Sequence, residues 1–213
     1  ALAGEPLLIE KEGLPPIGYL HLRQFSRSAI TPEDGNASLT DATRLFREAK
    51  INDLIIDLRY NGGGLITVAD TLMDLVAGIA AEDQPSFKLR ANDQQLAFNN
   101  DVTNWGFFNA LPESFSPIRV AFITSAYTAS ASEMVINGLH PHVEVVLVGG
   151  NTYGKQVGQG RWDMHKASLG VEREDCDVAL RLTAFELVNG ENMGGYHRVG
   201  LAGTGRFTMC PAR

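Results

Sequence analysis

The chain has only two cysteines, Cys176 and Cys210, and no histidine stands at the short spacings from them that zinc ligands show. A zinc site is therefore not expected. The pair is suited to a single disulfide if the protein is exported, or to two free buried thiols if it stays in the cytosol. The residues leave both interpretations open.

Long apolar runs and clusters of basic residues are also missing. No stretch approaches the ~18 apolar residues that a membrane span needs. The 18 Lys and Arg against 25 Asp and Glu give a net charge of −7, which disfavours nucleic acid and anionic membranes as partners. The opening residues contain neither Met nor the regions of a secretion signal. We expect a piece of a longer protein, with residues 1–213 forming one compact domain.

Strand-like and helix-like patterns alternate along most of the chain. This alternation is typical of an α/β fold with parallel strands and crossover helices, in which functional groups gather beyond the carboxyl ends of the strands. The pattern predicts strands at 17–23, 52–58, 119–124 and 144–148, helices at 38–50, 67–79 and 130–139, and a C-terminal β segment with its best strand at 178–187. The polar stretch 82–109 is interpreted as a β excursion or an exposed arm.

Ser130 lies in the small-residue run TASAS, where a helix is predicted to begin. One interpretation is structural, because Ser130 and Glu133 have the spacing of a capping box. The other is catalytic, because the small neighbours leave room for a substrate backbone. The helix amino end also offers unpaired N–H groups, that of Ala131 among them, where an oxyanion would form.

Three glycines, residues 62–64, follow the predicted strand 52–58. They can form a loose turn with positive φ. They also let a peptide approach closely, so that the N–H of Gly63 can join that of Ala131 in an oxyanion hole. The polar residues around this turn are interpreted as braces rather than reacting groups: Asp57, Arg59 and Asn61.

Lys155 ends the run GGNTYGK, which has the spacing of a phosphate-binding loop. Nucleotide binding is disfavoured, because Gln156 stands where Ser or Thr would hold magnesium and the residues that follow lack a helical pattern. A lysine can instead act as the base for a serine when apolar burial keeps its amine neutral. By its local sequence alone, Lys155 reads more simply as a solvated turn residue.

No histidine completes a convincing triad with Ser130. His140 and His142 stand at the far end of the predicted helix, about 15 Å along its axis from the serine. A Ser/His arrangement with His21 or His197 remains a minor alternative, and His165 has no distinctive setting.

Three motifs in this order, LIIDLRYNGGG, TASASE and GNTYGKQVGQ, resemble those of the C-terminal processing (tail-specific) serine peptidases. The resemblance covers roughly two thirds of the chain. It implies a crotonase/ClpP-like core, with Ser130 as nucleophile, Lys155 as general base and Gln159 as the partner that holds the lysine. It also implies cleavage of protein or peptide substrates near their C termini, no metal or organic cofactor, and an exported, periplasmic or cell-envelope location.

The chain departs from the family pattern at three positions, which carry Tyr127, Gly62 and Gln156 where the family has Gly, Pro and Gly. None of these removes an expected catalytic group. The peptide-binding PDZ module typical of the family is not expected within residues 1–213. The alternative from another class is a non-catalytic ligand-binding module, because crotonase-like cores also carry binding functions and a fold does not fix a function.

Overall fold

The computed structural model describes residues 1–32, 35–163, 179–196 and 200–202. Within these ranges the strands are β1 (Leu7–Ile9), β2 (Ile17–His21), β3 (Asp53–Asp57), β4 (Pro85–Arg90), β5 (Trp105–Phe107), β6 (Arg119–Thr124), β7 (Glu144–Gly149), β8 (Val157–Asp163) and β9 (Ala179–Asn189). The α-helices are α1 (Leu39–Glu48), α2 (Ile66–Ala77), α3 (Leu96–Asn100) and α4 (Ala131–Leu139), and two short 3₁₀ turns span Arg27–Ala29 and Val102–Asn104.

A five-stranded sheet in the order β1-β2-β3-β6-β7 forms the base of the fold. Strands β2, β3, β6 and β7 run parallel, and β1 is antiparallel to β2. In β3, Leu54 and Ile56 pair with Val120 and Phe122 of β6, and all four side chains are fully buried. Each such burial stabilises by roughly 1.5–3 kcal/mol, which fixes the register of the pair. The four parallel strands predicted from the sequence are confirmed.

The crossover helices begin and pack as their sequences dictate. At the start of α1 the Ser38 hydroxyl accepts from the Asp41 N–H, and the Asp41 carboxylate accepts from the Ser38 N–H, both at 3.1 Å. These hydrogen bonds to Ser38 lower the pKa of Asp41. Helices α2 and α4 pack against each other, and α4 also contacts strands β4 and β9. Helix α4, which follows β6 of the parallel sheet, therefore also contacts strands outside that sheet.

A second, fully antiparallel sheet has the order β5-β4-β9-β8. The stretch 82–109 supplies β4 and β5 to it, which favours the β excursion over the exposed arm. The predicted strand 178–187 is β9, which the structure describes from Ala179 onward. Between β8 and β9 the register shifts, because Gly158 lies opposite Phe185 whereas Gln159 lies opposite Thr183.

The α/β class with parallel strands, crossover helices and a C-terminal β segment is thus confirmed. None of the helices in the described ranges has the length and apolar character needed to cross a membrane. Cys176 and Cys210 lie outside the described residues, so their pairing stays a prediction, as does a single domain over residues 1–213.

Candidate active site

Asn61 joins the glycine turn after β3 to the start of α4. Its side-chain N–H donates to the Leu22 carbonyl at 2.8 Å, and its side-chain oxygen accepts from the Gly63 N–H at 2.9 Å. Its backbone carbonyl accepts from the Ala129 N–H and from the Ser132 hydroxyl, both at 3.0 Å. Asn61 is fully buried, so these bonds hold the two turns together in a dry environment.

Asp57 and Arg59 brace the same turn. Asp57 is fully buried at the end of β3, and its carboxylate accepts from the Arg59 guanidinium at 2.6 Å and from the Tyr19 hydroxyl at 3.2 Å. Burial acts to raise the pKa of Asp57, but the hydrogen bonds and charge of Arg59 outweigh burial and leave the pKa below its ordinary value. The described partners of the Asp57 carboxylate, Arg59 and Tyr19, hold the turn in place, which agrees with the bracing role inferred from the sequence.

Ser130 occupies a strained backbone position immediately before α4. Its φ of 60° and ψ of −118° lie in a region that non-glycine residues rarely adopt, at a cost of about 1–3 kcal/mol. Gly63 packs against it so closely that an added Cβ on Gly63 would lie 2.7 Å from the Ser130 Cβ and 2.8 Å from the Ala129 carbonyl oxygen. Strain of this kind concentrates at functional sites, where the surrounding structure enforces it.

Glu133 connects Ser130 with the segment that carries Lys155. Its side chain is fully buried, and one carboxylate oxygen accepts from the Ser130 N–H at 2.9 Å and from the Lys155 N–H at 2.8 Å. The other oxygen accepts from the Thr152 hydroxyl and the Gly154 N–H, both at 2.6 Å. Sequence reasoning placed Glu133 only in a capping box. The capping spacing accounts for the Ser130 bond, whereas no signal in the sequence indicated the three bonds to residues 152–155.

Ser130, Lys155 and Gln159 line one cavity of about 310 Å³. The structure thus brings together the three side chains to which the sequence assigned the chemistry. Among the described residues no hydrogen bond joins Lys155 to Gln159. Both residues line the same cavity, and the register of β8 shifts between them, at Gly158 and Gln159. The rest of the wall is formed by Gly64, Leu65, Ile66, Thr67, Val157, Gly158, Arg181, Phe185 and Leu187.

The chain after Lys155 enters strand β8 rather than a helix. Gln156 is fully buried, its side-chain oxygen accepts from the Tyr196 N–H at 3.0 Å, and its side-chain N–H donates to Glu186. A phosphate-binding loop needs a helix at this point. The nucleotide-binding interpretation therefore lacks its structural context.

The backbone N–H groups near Ser130 differ in availability. The Gly63 N–H already donates to the Asn61 side chain. The N–H groups of Ala131, the first residue of α4, and of Gly64, in the cavity wall, have no acceptor in the part of the chain that the structure describes. Helix amino ends carry positive partial charge, so Ala131 offers a donor where a negative oxygen would be stabilised.

The histidines that the structure describes do not line the cavity. His21 of β2 pairs in register with Asp57 of β3, and His21 does not line the cavity. His140 ends helix α4, and the His142 ring packs edge-on against Phe108 with centroids 4.7 Å apart. Burial lowers the pKa of His142. His165 and His197 lie outside the described residues, so the alternative with His197 stays untested.

The sequence matches the family model of peptidase family S41 over residues 16–201. The curated relatives include the tail-specific protease of Haemophilus influenzae, which is 30% identical over 147 residues, or 66% of this chain and 19% of that protein. The chloroplastic carboxyl-terminal-processing peptidase 1 of Arabidopsis thaliana is 28% identical over 163 residues, or 73% of this chain and 28% of that protein. The chain therefore spans less than a third of the length of these two relatives.

Solved structures share the same architecture. A Bacteroides fragilis protein assigned to the S41 proteases superposes with a TM-score of 0.73 at 28% identity, over 94% of this chain and 49% of that one. The photosystem II D1 C-terminal processing protease superposes with a TM-score of 0.68 at 17% identity, over 92% of this chain and 44% of that one. The second likeness concerns the fold alone.

Proposed function

Since the chain belongs to peptidase family S41, we propose that it carries the catalytic part of a serine peptidase that cleaves protein or peptide substrates near their C termini. The observation that carries the proposal is the shared cavity of Ser130, Lys155 and Gln159. Its supports are the strained Ser130 backbone and the Glu133 carboxylate that binds the N–H groups of both Ser130 and Lys155.

In the proposed mechanism the neutral amine of Lys155 takes the proton of the Ser130 hydroxyl. The serine oxygen attacks the substrate carbonyl and forms a tetrahedral intermediate. Lys155 then gives its proton to the departing amine as the peptide C–N bond breaks. Water resolves the resulting ester by the same route in reverse order, which restores the Ser130 hydroxyl.

The oxyanion of the intermediate needs two converging N–H donors. Ala131 is the first, as the sequence predicted. For the second we favour Gly64 over the predicted Gly63, because the Gly63 N–H is engaged by Asn61 whereas the Gly64 N–H has no acceptor among the described residues. Gly63 would serve only if the Asn61 side chain released it.

Gln159 is proposed to orient the Lys155 amine toward Ser130 once substrate fills the cavity. Its support is its place in the same cavity wall, beside the register shift that brings it near. No metal or organic cofactor enters the proposed reaction. An exported location follows from the family resemblance and is likewise a proposal, in keeping with the chloroplastic relative.

The test is covalent labelling with a serine-directed fluorophosphonate, together with cleavage of casein. We expect labelling of Ser130 in the wild type and none in Ser130→Ala. Lys155→Ala should lose labelling and cleavage to near background. Lys155→Arg should fail as well, because a guanidinium does not become a neutral base.

Ser132→Ala is the matched control on the same helix, because the Ser132 hydroxyl binds the Asn61 carbonyl and lies outside the cavity wall. It should still be labelled. Cleavage retained by Ser130→Ala or Lys155→Ala with an intact fold would refute the dyad. Absence of labelling and cleavage in the wild type would instead favour the non-catalytic binding module.

A further inference from the structure

Arg181 stands in the wall of the cavity that holds Ser130 and Lys155. Its side chain is solvent-exposed, and its guanidinium has no ion-pair or hydrogen-bond partner in the ranges that the structure describes. In a chain of net charge −7, carboxylates are plentiful. Arg181 faces the cavity without a carboxylate partner among the described residues, so its guanidinium is available to a ligand.

The strand pairing places a second arginine beside Arg181. Arg161 of β8 lies directly opposite Arg181 of β9 in the antiparallel ladder, so both project from the same face of the sheet. Each of the two strands therefore carries an arginine at this position of the ladder.

Among the described residues that line the cavity, the charged side chains are those of Lys155 and Arg181. No Asp or Glu is among the described residues of the wall. Glu186, one residue from Phe185 in β9, faces a neighbouring cavity, where it is bound by Arg90 and by Gln156. Both carboxylate oxygens of Glu133 already accept hydrogen bonds from residue 130 and from the segment 152–155. The described residues of the cavity wall therefore carry positive charge only.

We propose that Arg181 binds a carboxylate of the peptide substrate and so selects where the chain is cut. This inference rests on the proposed peptidase function. The planar guanidinium forms two parallel hydrogen bonds to a carboxylate, which gives both energy and orientation. The carboxylate can come from the C terminus of the substrate or from an Asp or Glu side chain.

The geometry sets an approximate distance between the bound carboxylate and the bond that is cut. Val157 pairs with Glu186, so Lys155 lies near the Leu187 end of the cavity wall, whereas Arg181 is at the other end. Along β9 the two ends are separated by about 20 Å. An extended peptide covers that length with about six residues, and fewer when the long arginine side chain reaches back. We therefore expect cleavage a few residues from the recognised carboxylate.

The experiment measures kcat/KM on three fluorogenic peptides of one sequence that the full-length protein cleaves. The first has a free C-terminal carboxylate, the second a C-terminal amide, and the third an amide after a terminal Asp. The proteins are the wild type, Arg181→Gln, Arg181→Lys and Arg27→Gln. Arg27 is an exposed arginine outside the cavity and serves as the charge control.

We expect the wild type and Arg27→Gln to prefer the free-acid peptide over the amide by roughly tenfold or more. Arg181→Gln should abolish that preference by lowering the rate on the free-acid peptide more than the rate on the amide, with Ser130 still labelled, and Arg181→Lys should keep part of the preference. A high rate on the Asp-amide peptide that also depends on Arg181 identifies a side-chain carboxylate as a source, and a low rate identifies the C terminus.

Two results would overturn the inference. One is a preference for the peptides with a carboxylate, at the C terminus or in the Asp side chain, that is equal in the wild type and Arg181→Gln or is missing in the wild type. The other is a parallel loss of cleavage on all peptides and of labelling in Arg181→Gln and Arg181→Lys, which would mean that Arg181 is structural. Failure of the peptidase proposal itself is distinguished by the absence of labelling and of cleavage of every peptide in the wild type.

Discussion

Replacement of Glu133 by Gln tests whether this buried carboxylate aligns the proposed nucleophile and base. The two residues have nearly the same shape, so the change replaces one carboxylate oxygen with an NH₂ group. The favoured orientation keeps the remaining oxygen toward the Ser130 and Lys155 N–H groups and turns the NH₂ toward Thr152 and Gly154. The Thr152 hydroxyl can rotate to accept from the NH₂, whereas the Gly154 N–H then faces another donor.

The expected cost follows from that count. One hydrogen bond to a charged group is lost and one buried N–H is left unsatisfied, which amounts to about 2 kcal/mol of unfolding free energy for Glu133→Gln. Glu133→Ala removes all four acceptor contacts and should cost about 5 kcal/mol or more, a large part of the stability of a typical domain. Small displacements of reacting groups have large effects on rate, so labelling of Ser130 should slow by roughly tenfold or more in Glu133→Gln.

The assay combines urea unfolding with the second-order rate of fluorophosphonate labelling below the unfolding transition. Asp41→Asn is the matched control, because Asp41 is also a carboxylate that accepts from a serine N–H three residues earlier, but at the start of α1. It should lose about 1 kcal/mol of stability and no labelling rate. Equal labelling rates in Glu133→Gln and Asp41→Asn would refute the alignment role.

Three further predictions concern other parts of the chain. Gly63→Ala should abolish labelling, because Gly63 has a φ of +101° and the added methyl would lie 2.7 Å from the Cβ of Ser130. Gly62→Ala should retain labelling, because a methyl there meets nothing within 4 Å. Equal effects of the two changes would contradict the geometry. Burial, with a neighbouring carboxylate, raises the pKa of Asp70 from 3.8 to about 6. The folded state therefore loses stability as pH rises through this window, and Asp70→Asn should add up to about 2 kcal/mol above pH 6 and almost nothing below pH 4, a pattern that urea unfolding at both ends would check. If Cys176 and Cys210 form a disulfide, denatured and unreduced protein made under oxidising conditions should contain no free thiols. Reduction should then lower the free energy of unfolding by on the order of 3 to 4 kcal/mol. Two free thiols would exclude the bridge.

The sequence predicted the parallel sheet and its helices because each is encoded locally. The strand 119–124 and its partner 53–57 are short apolar runs bounded by turn residues, and their burial in register follows from that pattern. The N-cap of α1 illustrates the same principle at finer scale. Ser38 and Asp41 have the capping spacing, and the structure places the N-cap of α1 at Ser38.

The remaining features depend on contacts between segments that are far apart in the chain. Glu133 lies in α4, whereas residues 152–155 follow strand β7. Nothing in the local pattern of either segment requires the bonds between them. The Asn61 side chain likewise bonds the Gly63 N–H, a choice among several turn conformations that the glycines permit. The polar stretch 82–109 was ambiguous because β4 pairs not only with β5 but also with β9, which lies almost a hundred residues later in the chain.

The bonds to Glu133 also explain how a strained serine can be held in place. The Ser130 and Lys155 N–H groups bind the same carboxylate oxygen at 2.9 and 2.8 Å, so their two nitrogens lie no farther apart than the sum of these distances. The strain at Ser130 costs about 1–3 kcal/mol, and a hydrogen bond to a buried carboxylate contributes a similar amount. The bond that offsets the strain is therefore shared with the segment of Lys155. Since the backbone anchors that segment, the Lys155 amine is not required to hold it in place, which is what its proposed role as the base needs.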